Sequence, residues 1–292
     1  MSTATPRPGL GVTTVGLVHI YRSEGSDVAA LSGVDITVRP GEVVGLLGPS
    51  GSGKSTLLAL LAGLFQPSAG KVFVGDRDLA ALTESELDRY QAVDGSLMLQ
   101  GARRNLVPYL TIRGNVDFAR QHAAKLGDEV PTTQEVVDLI GAGEIADRPL
   151  SELSQGQLQL GALAVALAPG PGIVLADEPT SALDHAARDR ILDTLLDVNR
   201  RSGATIVIVT HDPDVAARLP RTVTIRDGRI GGEGRLGQEY AVVTADGFLP
   251  LPLHVREGLP PGTLVRLERD GENWRLVPEA GGLPGGGDDV IQ

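Results

Sequence analysis

Apolar segments separated by turn residues recur along the chain, and their patterning changes from one region to the next. Residues 12–21 and 30–38 place β-branched residues in near alternation, which predicts antiparallel strands. Residues 43–47, 173–176 and 205–210 are mostly apolar, as expected of strands that are buried on both faces. The pattern therefore predicts an antiparallel region followed by buried strands.

Helical patterns lie between the buried segments. Residues 158–167 form a continuous stretch of small and apolar residues, and residues 187–200 place their apolar side chains on or near one face. Weaker helical patterns at 84–93 and 133–140 fall in a more polar region, about 79–153, that prolines interrupt. The alternation of strand and helix predicts an α/β fold with a mainly parallel sheet and helices packed around it.

The pattern changes again after a late strand pair at 223–230. The glycine-rich sequence that follows predicts a linker at 233–238. Short β-like runs between glycine and proline turns then predict a small β-rich domain at 239–279. The segment 280–292 is expected to be a disordered tail, and residues 1–11 a flexible N-terminus.

The composition fits one large α/β domain with a small appendage in 292 residues. The net charge of −11 argues against a nucleic-acid surface over the whole protein. The absence of cysteine excludes disulfides and thiolate metal sites. No secretory leader is expected, and no segment approaches the roughly 18 apolar residues of a membrane span. We therefore expect a chain that reaches a membrane only through a partner.

A glycine-rich segment follows residues 43–47 and leads into an apolar helical pattern at 57–61. It reads G-P-S-G-S-G-K-S-T and matches G-x-x-x-x-G-K-[ST] in the strand–loop–helix context that this pattern requires. The glycines let backbone N–H groups converge on phosphates, and the helix start adds partial positive charge. Lys54 can reach the β- and γ-phosphates, and the Ser55 hydroxyl can bind Mg²⁺. The predicted nucleotide-binding residues here are Ser50, Gly51, Ser52, Gly53, Lys54, Ser55 and Thr56.

Two adjacent acids, Asp177 and Glu178, follow the apolar segment 173–176. Because neighbouring residues of a strand point to opposite sides, their carboxylates are expected to have different tasks. Asp177 is placed to help bind Mg²⁺, and Glu178 is placed to polarise the attacking water. His211 follows the segment 205–210, at a sheet end, and we interpret it as a γ-phosphate sensor. The alternatives are solvated acids at a strand end and an ordinary surface histidine.

Over about residues 12–232, the chain resembles the nucleotide-binding subunit of an ABC (ATP-binding cassette) transporter. Its motifs stand in the order that is usual in this family. In chain order they are Tyr21, the phosphate loop, Gln100 in L-M-L-Q, L-S-Q-G-Q at 153–157, D-E-P-T at 177–180, S-A-L-D at 181–184 and His211. So many motifs in register make agreement by chance negligible.

The resemblance implies the P-loop NTPase fold of an ABC cassette, with a mainly parallel sheet, an antiparallel β subdomain and a helical subdomain at about 101–157. It also implies ATP and Mg²⁺ as cofactors. The implied catalytic residues are Lys54, Glu178 and His211. The implied Mg²⁺ contacts are Ser55, Gln100 and Asp177. Further nucleotide contacts are implied at Tyr21, which stacks on adenine, and at Gln100, Ser154, Gln155, Gly156, Gln157 and Asp184.

The family's mechanism implies two subunits that meet head to tail, with ATP between the phosphate loop of one and the signature of the other. The expected protein is an ATP-hydrolysing motor that works as a homodimer or paired cassette on a separate transmembrane permease, at the cytoplasmic face of the cell membrane. No nucleic-acid partner is expected. The segment 105–116 further resembles the lipoprotein-release and macrolide-efflux branch. A soluble ABC ATPase acting on nucleic acid or ribosomes, and an ATP-gated regulator, are the alternatives.

The signature departs from the family at Gln155, where glycine is usual. Leu160 and Val165 also stand where the next helix usually has arginine. A side chain at position 155 occupies space near the γ-phosphate, where backbones approach closely. We therefore predict an ATPase that is intact but slow.

Residues 246–271 resemble a swapped-hairpin barrel of the AbrB/MazE type. Such hairpins lack a core alone and form intertwined dimers. Many of these domains bind DNA, but residues 239–279 hold four arginines against seven acids, which disfavours phosphate binding. The prediction is a dimerisation or regulatory domain, and a generic small β-domain is the alternative.

Overall fold

A computed structural model describes residues 7–23, 26–235, 238–243, 247, 249–251, 255, 258–259 and 263–278. The strands are β1 (Val12–Ser23), β2 (Ser26–Val34), β3 (Thr37–Val38), β4 (Val43–Leu47), β5 (Ala69–Val74), β6 (Arg77–Asp78), β7 (Gly95–Met98), β8 (Ile173–Asp177), β9 (Thr205–Val209), β10 (Arg221–Arg226), β11 (Arg229–Arg235), β12 (Gln238–Tyr240), β13 (Val265–Asp270) and β14 (Asn273–Pro278). The α-helices are α1 (Lys54–Leu61), α2 (Glu84–Arg89), α3 (Ile112–Lys125), α4 (Thr133–Leu139), α5 (Gln155–Leu167), α6 (His185–Ser202) and α7 (Pro213–Ala217). In this described part of the chain, no helix combines the length and apolarity needed to cross a bilayer.

The main sheet has its parallel strands in the order β10, β4, β9, β8 and β7, and β11 and β12 extend the β10 edge in antiparallel fashion. Both faces of this sheet are covered. Val174 and Ala176 of β8 pack in one core with α5 and α6, whereas Ile173 and Leu175 pack in the other core with α1. Burial on both faces explains why β8 and β9 are apolar almost throughout. The predicted parallel α/β sheet is confirmed.

The second sheet is antiparallel, in the order β2, β1, β5 and β6, with β3 also paired to β1. Its buried residues Leu17 and Leu31 share a core with Leu57 and Leu61 of α1. Since α1 directly follows the phosphate loop, this packing holds the loop between the two sheets. The predicted antiparallel strands before the loop are confirmed.

The region between β7 and β8 is helical, and α2 and α4 confirm the weaker helical patterns. Helix α3 was not predicted, although Ile112 and Val116 are buried on one of its faces. Its low apolar content and Gly114 weaken the helical pattern. Strand β7 was not predicted either. Its buried residues Gly95 and Ser96 are not apolar, so the strand lacks the apolar pattern of β8 and β9.

The predicted linker at 233–238 is wrong where the structure describes it. Glu233 lies in β11, and its carboxylate accepts two hydrogen bonds from the Arg221 guanidinium, at 2.8 and 3.1 Å. Gly234 is required in this strand because a Cβ would collide with Thr222. β12 pairs with β11 and contains residue 239, where the small domain was predicted to begin. Glycine here marks close approach in a sheet and not a linker.

The prediction of a flexible N-terminus is wrong for residues 7–11, which form hydrogen bonds with residues far away in the sequence. The Arg7 guanidinium donates a hydrogen bond of 2.6 Å to the carbonyl oxygen of Pro169. The Leu10 N–H donates to the carbonyl oxygen of Gly172 at 3.0 Å. Residues 1–6 and the predicted tail at 280–292 lie outside the described residues.

The C-terminal strands β13 and β14 form a two-stranded antiparallel hairpin. Leu267 lies opposite Leu276, and Arg269 lies opposite Trp274. Because these positions alternate with Glu268 and its neighbours along the strands, they share one face of the hairpin. Leu267, Leu276 and Trp274 are 62%, 38% and 65% exposed. Among the described residues, this hairpin therefore presents an apolar face to solvent.

Candidate functional site

The phosphate loop connects β4 to α1. Gly48 and Gly53 have φ angles of 143° and 99°. A Cβ at either position would collide with the backbone of Ile225 or of Ala30. Glycine is therefore required by conformation and by space. Gly53 is also the residue before α1, and no side chain caps the first N–H groups of that helix. Uncapped N–H groups at a helix start are suited to binding an anion.

Lys54 is buried beneath this loop. Its Nζ donates hydrogen bonds to the carbonyl oxygens of Gly48, at 2.9 Å, and Pro49, at 2.7 Å. Burial lowers the pKa of Lys54 below its usual value, and the carboxylates of Glu178 and Asp177 partly offset this effect. The loop carbonyls and the two acids thus hold a cation next to the uncapped helix start.

Asp177 and Glu178 lie at the end of β8, where their surroundings differ. The Glu178 N–H donates to the carbonyl oxygen of Val209 at 3.0 Å, which extends the β8–β9 pairing. Glu178 has a φ angle of 49°, in the left-handed region that residues with a Cβ rarely adopt. Its Oε1 lies 2.7 Å from Nδ1 of His211. By contrast, Oδ1 of Asp177 is buried and has no hydrogen-bond partner.

An aromatic cluster of Tyr21, His19 and Phe65 lies beside α1. The Tyr21 and Thr56 hydroxyl oxygens are 3.1 Å apart, so β1 is joined to α1. The His19 ring contacts the Tyr21 ring edge to face, with centroids 4.8 Å apart, and stacks on Phe65 at 5.6 Å. His19 and Phe65 were not predicted to belong to the site. His19 could have been expected beside Tyr21, because residues two apart on a strand share a face.

A cleft of about 580 Å³ brings most of the predicted site residues together. The phosphate loop, Gln100, Asp177, Glu178 and His211 supply its polar lining, and Tyr21 with residues 28–30 supplies aromatic and apolar lining. The predicted residues that line it are Tyr21, Ser50, Gly51, Ser52, Gly53, Lys54, Ser55, Thr56, Gln100, Asp177, Glu178 and His211. This lining suits a ligand that carries both phosphates and an aromatic ring.

The signature residues lie outside this cleft and form the start of α5. The Ser154 Oγ accepts the Gln157 N–H at 3.3 Å, and Oε1 of Gln157 accepts the Ser154 N–H at 2.9 Å. This reciprocal pair is a capping box. Gln155 is exposed as the first residue of the helix. Gly156 packs closely on α6, since a Cβ there would lie 2.8 Å from the Cβ of Ala187.

Asp184 also lies outside the cleft. Its Oδ1 accepts the Ala187 N–H at 2.8 Å, which caps the start of α6. Two residues earlier, Ala182 has a φ angle of 60°, an uncommon conformation for a residue with a Cβ. The structure thus separates the predicted site residues into those that line the cleft and a second set that does not line it, Ser154 to Gln157 with Asp184.

Comparison with known families matches residues 31–181, slightly more than half of the chain, to the family described as ABC transporter. The chain belongs to the ABC transporter family. An ABC cassette that was solved in dimeric form, MJ0796 in a post-hydrolysis state bound to ADP and Pi, superposes with a TM-score of 0.69 at 31% identity. The match covers 77% of this chain and 98% of that one. The predicted ABC cassette fold is confirmed.

Two relatives from bacteria place this ABC cassette among transport ATPases. The lipoprotein-releasing system ATP-binding protein LolD of Anaeromyxobacter dehalogenans is 42% identical, over 70% of this chain and 85% of its own length. The methionine import ATP-binding protein MetN of Streptomyces coelicolor is 37% identical, over 79% of this chain. The chain spans about two thirds of that methionine import protein, 67% of its length. These names support an ATP-binding and ATP-hydrolysing transport cassette and give no support to a ribosomal or nucleic-acid role.

Proposed function

We propose that this chain is the motor subunit of an ABC transporter, which hydrolyses ATP as a dimer and drives a separate permease. The observation that carries the proposal is the division of the site. The phosphate loop, Asp177 and the Glu178–His211 pair share one cleft, whereas the signature helix α5 begins outside it. One chain therefore supplies the two complementary halves of a site that two copies complete.

The chain offers a suitable site for Mg²⁺ beside the phosphates. Oδ1 of Asp177 is buried without a hydrogen-bond partner, which is costly unless a ligand meets it. Asp177, the Ser55 hydroxyl and Gln100 lie along the same cleft and supply the oxygen ligands that Mg²⁺ prefers. When bound, Mg²⁺ would neutralise the charge of the phosphate oxygens.

The chain's own residues would then carry out hydrolysis in the following way. Lys54 and the N–H groups at the start of α1 would hold the phosphates. The Glu178 carboxylate would accept a proton from the attacking water, and its 2.7 Å contact with His211 would fix the direction in which it points. Ser154 of the second copy would close the site by donating its hydroxyl hydrogen to the γ-phosphate.

The transport partner is proposed to be a permease of the type that accompanies the lipoprotein-releasing ATPases. The support is the 42% identity to LolD together with the segment 105–116. The chain would accordingly work at the cytoplasmic face of a membrane, bound through its permease. The methionine import relatives offer the second candidate, an import permease.

The C-terminal hairpin is proposed to add a second dimer contact. A two-stranded hairpin is marginally stable alone, and this one exposes Leu267, Leu276 and Trp274 on one face. Three arginines and three acids, at residues 265–278, balance its charge, which suits self-association and not a polyanion. A chain that ends after Val243 would retain β12. Sedimentation without ATP should then show weaker self-association than in the full chain, and equal association would contradict this contact.

The motor proposal is tested with Glu178→Gln, which should bind ATP and hydrolyse it slowly. The variant is purified from mildly solubilised membranes with ATP and Mg²⁺, and the copurified proteins are identified by mass spectrometry. A Lys54→Ala variant, which should bind ATP poorly, is the matched control. A membrane protein with several spans, enriched only with Glu178→Gln, supports the proposal. Ribosomes or DNA without a membrane protein overturn it.

A further inference from the structure

Arg188, in the second turn of α6, binds the loop that carries His211. Its Nη1 donates hydrogen bonds to Oδ2 of Asp212, at 3.1 Å, and to Oδ2 of Asp214, at 3.0 Å. The Arg188 side chain is only 13% exposed. A guanidinium that binds two carboxylates in a confined position restrains both of them. Asp212 is the residue directly after His211, so restraining Asp212 also restrains His211 and its contact with Glu178.

Asp212 is held from its other sides as well. Its N–H donates to the Thr210 hydroxyl at 3.1 Å, and its Oδ1 accepts the Asp214 N–H at 2.8 Å. Burial raises the pKa of Asp212, but the hydrogen bonds from the Asp214 backbone and the Arg188 guanidinium outweigh that effect and lower it overall. The carboxylate is therefore ionised at neutral pH, in the form that Arg188 binds.

The His211 side chain, in contrast, is 70% exposed. Thr210 before it is fully buried, and its N–H donates to the carbonyl oxygen of Leu46 at 3.1 Å. An exposed imidazole gains little positional restraint from packing, so its direction depends on the backbone of residues 210–212. The 2.7 Å contact between His211 and Glu178 consequently depends on how Asp212 is anchored.

We propose that Arg188 is a positioning residue that holds His211 against Glu178 and couples this pair to the loop at 181–184. The Arg188 N–H donates to the carbonyl oxygen of Asp184 at 2.9 Å, one helical turn away. Asp184 ends the loop that contains Ala182 in its left-handed conformation. A shift of that loop moves the start of α6, and Arg188 transmits the shift to Asp212 and His211.

A second arginine provides the matched control, because it joins the same two helices without reaching His211. Arg218, at the end of α7, bonds to Asp189 and Asp193 of α6. Its side chain is 37% exposed, so its ion pairs are those of an ordinary surface contact. If Arg188 only joined α6 to α7, the two arginines would be equivalent.

The test rests on the proposed ATPase activity and compares full-length Arg188→Ala, Arg188→Lys and Arg218→Ala. Arg188→Ala should lower kcat by about tenfold, because small misplacements of a catalytic group have large effects. Its KM for ATP and its melting temperature should stay close to those of the wild type. Arg188→Lys should recover part of kcat, and Arg218→Ala should leave it unchanged.

A double-mutant cycle with His211→Ala separates positioning from general damage. If Arg188 acts through His211, Arg188→Ala should have no further effect on kcat once His211 is gone. Equal losses in both backgrounds, or an unchanged kcat in Arg188→Ala, would overturn the inference. A wild-type protein without ATPase activity would instead overturn the proposed function, so the two failures are distinguishable.

Discussion

The starts of helices α1 and α5 were both predicted to contact phosphate, but their first turns are capped differently. At α1, Gly53 offers no side chain, so the first N–H groups receive no cap. At α5, Ser154 and Gln157 form a capping box that uses one N–H of the first turn and one before it. No side chain caps the first turn of α1, which is left to bind an anion, whereas the capping box of α5 already uses one N–H of its first turn.

This difference assigns a distinct role to each helix start. The α1 end can bind phosphate with its backbone N–H groups and with Lys54, without help from another molecule. The Ser154 hydroxyl is used only as an acceptor, and its hydrogen is still available for donation. Under the proposed function, we therefore expect the α5 end to add one hydrogen bond to a phosphate that the α1 end of the other copy already binds.

The largest effect is expected for Lys54→Ala, which removes the cation at the start of α1. The loss of its charge should weaken ATP binding to the monomer and lower turnover by about a thousandfold, since a preorganised donor is removed from the phosphates. Binding is measured with a fluorescent ATP analogue at protein concentrations below dimer formation. If monomers of the variant bind the analogue like the wild type, α1 is not the primary phosphate site.

A smaller effect is expected at the α5 end with Ser154→Ala. Monomer binding of the ATP analogue should be unchanged, whereas turnover should fall by about a hundredfold, as for one lost donor to developing charge. The variant also loses a helix cap, which should cost about 1 kcal/mol of stability.

Thr132→Ala controls for that loss of stability. Thr132 caps α4 in the same type of capping box, with Glu135, away from the cleft. Its replacement should lower the melting temperature by a similar amount and leave turnover unchanged. A fall in turnover for Thr132→Ala that matches Ser154→Ala would mean that stability, and not the hydroxyl, explains the effect.

The two helix starts were predictable from sequence to different extents. The phosphate loop was recognisable because its strand, glycines, lysine and helix are contiguous, so that local sequence determines the whole motif. The residues of the α5 start were identified only through the family resemblance. Its separation from the phosphate loop of the same chain was implied by that resemblance, in which two subunits meet head to tail. Its capping box was missed, although Ser154 followed three residues later by Gln157 is a local pattern.

The same limit explains the other missed features. Glu233 and Gly234 were interpreted as linker because glycine content was read without the Arg221 ion pair that anchors β11. The α3 helix was missed because its buried side is narrow. Arg188 contacts Asp212 and Phe65 stacks on His19, and no local pattern indicates either contact. Sequence thus predicts local motifs, whereas tertiary contacts determine how their side chains are oriented.

A modest gain in turnover is expected for Gln155→Gly, which removes the side chain at the first position of α5. Gln155 is exposed and contributes nothing to the capping box, so its loss should leave the helix start in place. If the side chain obstructs closure over the γ-phosphate, turnover should rise by about threefold, an effect of less than 1 kcal/mol. ATP-driven dimerisation is measured in parallel by sedimentation. Unchanged turnover and dimerisation would show that Gln155 does not slow this ATPase.

The smallest effect is expected for Tyr21→Phe, which tests the contact between Tyr21 and α1 in this cleft. This change keeps the ring and its contacts with His19 and Phe65 but removes the hydroxyl that meets Thr56. Loss of a partly exposed hydrogen bond should raise the dissociation constant of ATP about twofold. Tyr21→Ala, which also removes the ring, should weaken binding considerably more. If the two variants bind ATP equally poorly, the main contribution of Tyr21 is its hydroxyl, through the contact with Thr56 of α1, and not its aromatic ring.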